Sequence, residues 1–266
     1  MCGPRPDGAG HAYRDPPRQR SRPEPTASRG YVSPNFREHC QALFTTPLFE
    51  HHDRARFELF AYSLGRHRDG LTDRLALCFD VWRDVSELDN ASIAARIRED
   101  EIDVLVDLTM HMGGNRALLF ARKPAPVQIA WLAYPGTTGL SAMDYRVTDV
   151  HLDPPGNDRL YAERSLRLPE TFWAYDPLTA TPDVGPLPAL EKGYLTFGSL
   201  NTFRKMNELT ADLWAPVLRA VTTARLSLLA PLGKARTRVA SWFLARDVDP
   251  SIVSRASASR SPVPTA

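Results

Sequence analysis

Cysteine is scarce: Cys2, Cys40 and Cys78 are the only three in 266 residues. Their spacing fits neither a paired secreted framework nor a CxxC metal site. No apolar run approaches the roughly 18 residues of a membrane span, so a spanning helix is not expected. Neither charge sign dominates, with 33 Lys plus Arg against 31 Asp plus Glu and a net charge of +2. That balance excludes a nucleic-acid binder that relies on bulk electrostatics and leaves room only for a local basic patch. HExxH, GxxxxGK[ST] and GxGxxG are all absent, which removes the zinc-protease, P-loop and dinucleotide fingerprints. No period of about 34 residues marks a helical repeat array. What is present is a 43% hydrophobic composition, enough for a core without disulfide or metal support.

Residues 1–29 hold six prolines and six arginines and no apolar segment. They read as a disordered tail, since little apolar surface is available to offset the entropy of ordering them. Order is expected from Gly30, where "GYVSPNF" gives a short strand and a turn that aims Asn35, Phe36 and His39 toward a cleft. "ALFTTPLFEHHD" follows as a helix, "RFELFAYS" as a strand, and "CFDVWRDV" as a strand and loop. "SELDNASIAARIREDE" reads as a helix capped by Ser86 or Asp89, and "IDVLVDLT" as a buried parallel strand. A helix stopped by Pro124, the strand "PVQIAWLAY" and a short strand near Tyr145 to Asp149 continue the alternation, with a polar surface loop beyond. This pattern predicts an α/β fold with a mostly parallel sheet covered on both faces. Residues 30–170 are taken as the first lobe and the proline-rich 171–193 as a linker. Residues 194–250 form a partial second lobe with only two strand–helix units, and 251–266 a disordered tail.

Several residues in this pattern carry chemistry. His39 and His111 each follow a strand, at the carboxyl edge where open α/β sheets bind ligands, and a histidine there serves as acid or base or simply bonds a loop carbonyl. Asp100 and Asp103 flank the start of "IDVLVDLT", while Asp107 lies nearer its cleft end. His51 and His52 are adjacent in sequence, diverge around a helix and read as a solvated helix end rather than a metal pair. "PGTTG" offers backbone N–H groups to a sugar or a peptide. Lys205, in the turn after "LTFGSL", is a cation placed to neutralise a diphosphate. No motif specifies a metal ligand set or an organic cofactor.

The blocks "GYVSPNFREH", "PLFEHHDRARFELFAYS", "IDVLVDLTMHMGGNRALLFARKPAPVQIAWLAYPGTTGLSAMDYRVTD" and "GYLTFGSLNTFRKMN" closely resemble the catalytic region of protein O-GlcNAc transferases, including the Spindly-like members. The resemblance runs in order from about Gly30 to Asp249. It implies a two-lobed GT-B glycosyltransferase with Rossmann-like lobes, of which the second is incomplete here. It further implies transfer of N-acetylglucosamine from UDP-GlcNAc, with inversion, to Ser or Thr hydroxyls of proteins, in the cytoplasm. By similarity His39 is an active-site histidine that orients donor or acceptor, and Asp100 is an aspartate implicated in proton transfer. Leu132 and Ala133 fall in the sugar-pocket loop, where the family usually has glycine in place of Ala133. The extra methyl either crowds the sugar or is absorbed by a small backbone shift. Lys205 matches the lysine that contacts the UDP diphosphate, and Thr202 stands where animal enzymes often have a longer residue. Because later donor contacts have no counterpart, a catalytically inactive or protein-binding remnant of the family is the alternative expectation. Protein acceptors are the implied partners, with no nucleic acid and no membrane among them.

Overall fold

The computed structural model describes residues 27–181 and 183–256. The chain divides into two compact units, residues 1–181 and 182–266. The first unit is built on a seven-stranded sheet, all parallel, in the order β3-β2-β1-β4-β5-β6-β7. Its strands are β1 (Ala27–Ser33), β2 (Phe57–Ser63), β3 (Val81–Asp84), β4 (Val104–Asp107), β5 (Val127–Ala130), β6 (Tyr145–Asp149) and β7 (Arg164–Leu168). The chain winds outward from β1 to β3, then returns to place β4 on the other side of β1. That reversal makes a crevice at the carboxyl ends of β1 and β4, the Rossmann-like switch point where open α/β sheets bind ligands.

Period-2 alternation explains the two covered faces. Tyr31, Leu59, Ala61 and Val106 join one core with Phe49 of α1 (Ala42–Glu50) and Leu75 of α2 (Gly70–Ala76). Their neighbours Val32, Phe60, Tyr62 and Leu105 join the other core. That core includes Ile93 and Ile97 of α3 (Asn90–Glu99) and Leu119 and Phe120 of α4 (Ala117–Phe120). Gly30 suits β1 because a Cβ there would come within 2.9 Å of Leu105 Cδ1 and 3.0 Å of Tyr62 Cε2 and push those side chains aside. Asp89 caps α3, its side chain accepting the Ser92 N–H at 2.7 Å.

Four expectations are corrected. Ala27 to Arg29 belong to β1, pairing with Phe57 to Leu59, so order begins inside the segment read as a tail; residues 1–26 lie outside the described residues. Beyond the polar loop after β6 lies an edge strand that the sequence did not reveal, β7, in which Arg164, Leu166 and Leu168 are exposed and Ser165 and Arg167 half-buried, without the apolar-in alternation of a strand. The supposed linker starts with residues that pack on the first unit, Phe44 meeting Trp173 and Tyr175 at 4.7 and 5.4 Å between ring centroids. Val253 to Ala256, read as tail, form a strand, while 257–266 lie outside the described residues. His52 is not a solvated helix end: it is half-buried and 2.7 Å from the Tyr31 hydroxyl. Burial, followed by the charges of Arg29 and Arg54, pushes its pKa down to about 4.

The second unit has three parallel strands in the order β10-β9-β8, namely β8 (Thr196–Ser199), β9 (Arg225–Leu229) and β10 (Val253–Ala256). After the short α5 (Pro188–Lys192), α6 (Glu208–Ala220) and α7 (Lys234–Leu244) complete it. Its core joins Ala211, Ala215 and Leu218 to Leu226, Leu228, Val239 and Phe243. Asn207 caps α6 by accepting the Thr210 N–H at 2.9 Å. Among the described residues, no helix is long and apolar enough to cross a membrane.

Candidate active site

At the switch point of the first unit, the loops after β1 and β4 are stapled together by buried amides. Gln41 donates from Nε2 to the Leu108 carbonyl, and its Oε1 accepts from Asn35 Nδ2 at 2.9 Å. Asp107 ends β4 as a buried carboxylate that accepts the N–H groups of Thr109 and Met110 at 2.8 and 3.1 Å. Burial pushes its carboxyl up, against those two bonds, which pull it down. His39 is half-buried, and its Nδ1 accepts the Gln41 N–H at 3.1 Å. Burial first, then the Arg37 charge, lowers its pKa and favours the neutral ring. A neutral ring whose Nδ1 accepts must carry its proton on Nε2, so His39 offers a ligand a hydrogen-bond donor.

The loop after β5 forms the adjacent wall. Leu132 is buried at φ +87, and Met110, after the neighbouring β4, sits at φ +46. Each conformation costs an L-residue on the order of 1–3 kcal/mol and persists only where surrounding packing over-determines it. Here the packing is that of Trp131, whose Nε1 donates to the Phe172 carbonyl at 3.1 Å, and of the core around it. The Leu132 side chain is inside that core, so the loop presents main chain rather than side chain at this point. The Ala133 methyl packs partly against the opposite core. Beyond it, buried Glu163 holds "PGTTG" in place. It accepts from Thr137 Oγ1 at 2.9 Å, from Thr138 N at 2.6 Å and from Thr138 Oγ1. The Thr137 carbonyl in turn lies 2.7 Å from His111 Nε2.

In the second unit, a cavity of about 100 Å³ opens at the carboxyl end of β8, lined by Ser199, Thr202, Lys205, Thr210 and Trp214 among others. Lys205 closes a 3-10 turn (Phe203–Lys205) by donating its backbone N–H to the Thr202 carbonyl at 2.9 Å. Its side chain is exposed, and among the described residues no carboxylate pairs with it. The turn leads directly into the N-terminus of α6, where the helix dipole adds positive potential. Thr202 and Lys205 therefore share one cavity whose electrostatics suit an anion. Among the described residues no three His, Cys, Asp or Glu side chains gather as a metal set.

Residues 11–183 match the model of glycosyl transferase family 41. The chain belongs to glycosyltransferase family 41. It is 39% identical over 208 residues to an Arabidopsis thaliana protein named as a probable UDP-N-acetylglucosamine–peptide N-acetylglucosaminyltransferase, SPINDLY. That match takes in 77% of this chain and 23% of the relative. The Arabidopsis SEC protein, given the same activity by name, is 29% identical over 230 residues, covering 83% of this chain and 24% of its own. A solved structure of a mutant Thermobaculum terrenum O-GlcNAc transferase superimposes with a TM-score of 0.79 at 40% identity, over 88% of this chain and 45% of that one. The chain thus spans less than a quarter of the length of these two plant relatives, and its fold is that of the GT-B catalytic region of an O-GlcNAc transferase.

Within this family 41 chain, the geometry sorts the residues singled out by sequence. His39, Leu132 and Ala133 all follow carboxyl ends of strands in the first sheet, and Thr202 and Lys205 do so in the second. Asp100 does not. It is the C-cap of α3, ahead of β4, and so belongs to the amino edge of the sheet, away from the loops that carry His39 and His111. There it is nearly buried, accepting from Tyr62 Oη at 2.8 Å and from Arg83 Nη2 at 2.7 Å. Asp100→Asn is expected to lower stability by about 1–3 kcal/mol by weakening the charge-assisted bonds from Tyr62 and Arg83, with turnover per folded molecule unchanged. Urea denaturation alongside active-fraction kinetics checks both halves. Glu163 and Gln41, which order the site, were not found by sequence reasoning, because a single Glu or Gln between polar neighbours has no periodic or motif signal.

Proposed function

We propose that this chain carries out UDP-N-acetylglucosamine-dependent glycosylation of protein Ser or Thr hydroxyls, with inversion at the anomeric carbon, in the cytoplasm. The observation that carries the reading is the Lys205 ammonium, paired with no carboxylate among the described residues, sharing a cavity with Thr202 at the entrance to α6, in a chain of family 41. Negative charge grows on the departing UDP as the sugar bond breaks. A preorganised cation and a helix N-terminus stabilise that charge without reorganising at the moment of reaction. Within the first unit, the loop main chain at Leu132 and Ala133 and the His39 Nε2–H are groups that suit a sugar or a substrate oxygen. The free thiols of Cys40 and Cys78 are consistent with a reducing compartment.

The test is transfer of radiolabelled N-acetylglucosamine from UDP-GlcNAc to protein by the purified 266-residue chain, with calorimetric titration of UDP in parallel. Saturable UDP binding and alkali-releasable label on protein are the expected results; absence of UDP binding at millimolar concentration would sink the reading. UDP binding without transfer favours the second reading, an inactive or protein-binding member of the family. One observation speaks for that reading: β8 is exposed along its length, and Leu209, Leu213 and Val217 leave an apolar stripe uncovered on α6.

A further inference from the structure

Two histidines follow neighbouring strands at the switch point, and their hydrogen bonds leave them opposite free nitrogens. A backbone amide can only donate, so the Gln41 N–H occupies the lone pair of His39 Nδ1 and what His39 retains is an N–H. A carbonyl can only accept, so His111 Nε2, 2.7 Å from the Thr137 oxygen, must carry the proton. His111 Nδ1 is then a bare lone pair on an exposed ring, with no bonding partner among the described residues. The ring plane is fixed edge-on to Tyr134, centroids 5.9 Å apart at 84°. Its anchor is fixed too, because buried Glu163 holds Thr137 by its hydroxyl and Thr138 by its N–H. Asp107, four residues earlier, lies close enough for its charge to interact with that of His111.

We infer that His111 Nδ1 is the proton acceptor for the attacking hydroxyl, and that Glu163 is the positioning residue that sets the His111 ring. The inference rests on the glycosyltransferase reading above. As the Ser or Thr oxygen bonds to the anomeric carbon, the bond from that carbon to the β-phosphate oxygen breaks and its electron pair leaves with UDP. The hydroxyl proton passes to Nδ1, giving an imidazolium that keeps its Nε2–H on the Thr137 carbonyl, so the charge gained by UDP is matched on the ring. His39 cannot take this proton, since its lone pair is already used, and Asp100 is at the other edge of the sheet.

The experiment uses the full chain. Long-range proton–nitrogen NMR of the imidazoles is expected to show His111 with Nδ1 unprotonated when the ring is neutral. Glu163→Ala should scramble that tautomer, and Glu163→Gln, which keeps one acceptor oxygen, should restore it in part. His111→Ala is expected to lower kcat by about 10²–10⁴-fold with UDP affinity unchanged, the span typical of a positioned general base. Turnover of His111→Ala within threefold of wild type, or a neutral His111 ring protonated on Nδ1, overturns the inference. UDP binding by the wild-type chain with neither transfer nor release of sugar to water overturns it as well, while leaving the donor reading intact. Failure to bind UDP overturns the donor reading instead, and the ring spectrum still decides the tautomer on which the inference stands.

Discussion

Lys205→Ala is expected to lower kcat for sugar transfer by about 10²–10³-fold and to weaken UDP binding at least tenfold, in step with the loss of a preorganised charge at the leaving group. The size of the effect follows from how little else in the cavity can replace the ammonium. Ser199, Thr202 and Thr210 bring neutral hydroxyls, and Trp214 brings a ring. The α6 N-terminus contributes only partial charge, part of it already satisfied by the Asn207 cap. A drop in kcat beyond the drop in affinity would mark a contact stronger in the transition state than in the ground state. Lys205→Arg should recover part of the binding but less of the turnover, because a planar fork does not deliver a point charge to the same spot. The substitution should leave thermal unfolding unchanged, since the side chain is exposed and the turn is closed by main chain at 2.9 Å. Calorimetry with UDP, initial-rate kinetics and a melting curve separate these effects; an alanine variant that binds and turns over like wild type removes Lys205 from the site.

The first sheet was legible because its buried strands announce themselves. "IDVLVDLT" and "FELFAYS" place apolar residues on both faces, which only a strand covered by helices on both sides can bury. The strands at the margins were not legible for the opposite reason. Arg164, Leu166 and Leu168 of β7 are exposed, and its composition is set by solvent rather than by a core. β10 hides in a polar tail because its anchors are pairing with β9 and one buried side chain, Val253, too little apolar pattern to mark a strand. The site divides in the same way. His39 and Lys205 stood out because a charged or titratable group after a strand is visible in one dimension. The buried partners that orient these loops, Gln41 and Glu163, act over separations of 67 and about 25 residues, and no local pattern encodes such pairings. Asp100 shows the converse: proximity in sequence to a good strand does not say which end of the strand a residue lies near, and Asp100 lies ahead of β4.

Asp153→Ala is expected to cost about 3–5 kcal/mol, the range for breaking a buried ion pair by removing one partner. Arg146 projects from β6 into a nearly sealed environment at 2% exposure, and Asp153 is 3% exposed. The Arg146 guanidinium pairs with Asp153 Oδ2, lies 3.3 Å from the centroid of the Tyr161 ring and donates from Nε to Ser165 Oγ at 3.1 Å. Arg167 adds a second cation, donating from Nε to the Asp153 carbonyl at 2.7 Å and bridging to Asp158 at 2.9 Å. Removing the shared carboxylate leaves Arg146 buried beside Arg167 without its direct partner and with only the longer-range charges of Glu163 and Asp158, so desolvation and like-charge repulsion act together. At about 2–4 °C per kcal/mol for a domain of this size, the melting temperature should fall by about 6–20 °C. An Arg146→Met, Asp153→Leu double variant should recover much of the loss, because it removes both buried charges instead of stranding one. Scanning calorimetry decides the matter, and a single variant melting within 2 °C of wild type would count against the pair as a structural element. The consequence reaches the crevice as well. Glu163 immediately precedes β7, the strand that Arg146 and Arg167 clamp to β6, so loosening that clamp should first be felt as a loss of order at Thr137 and His111.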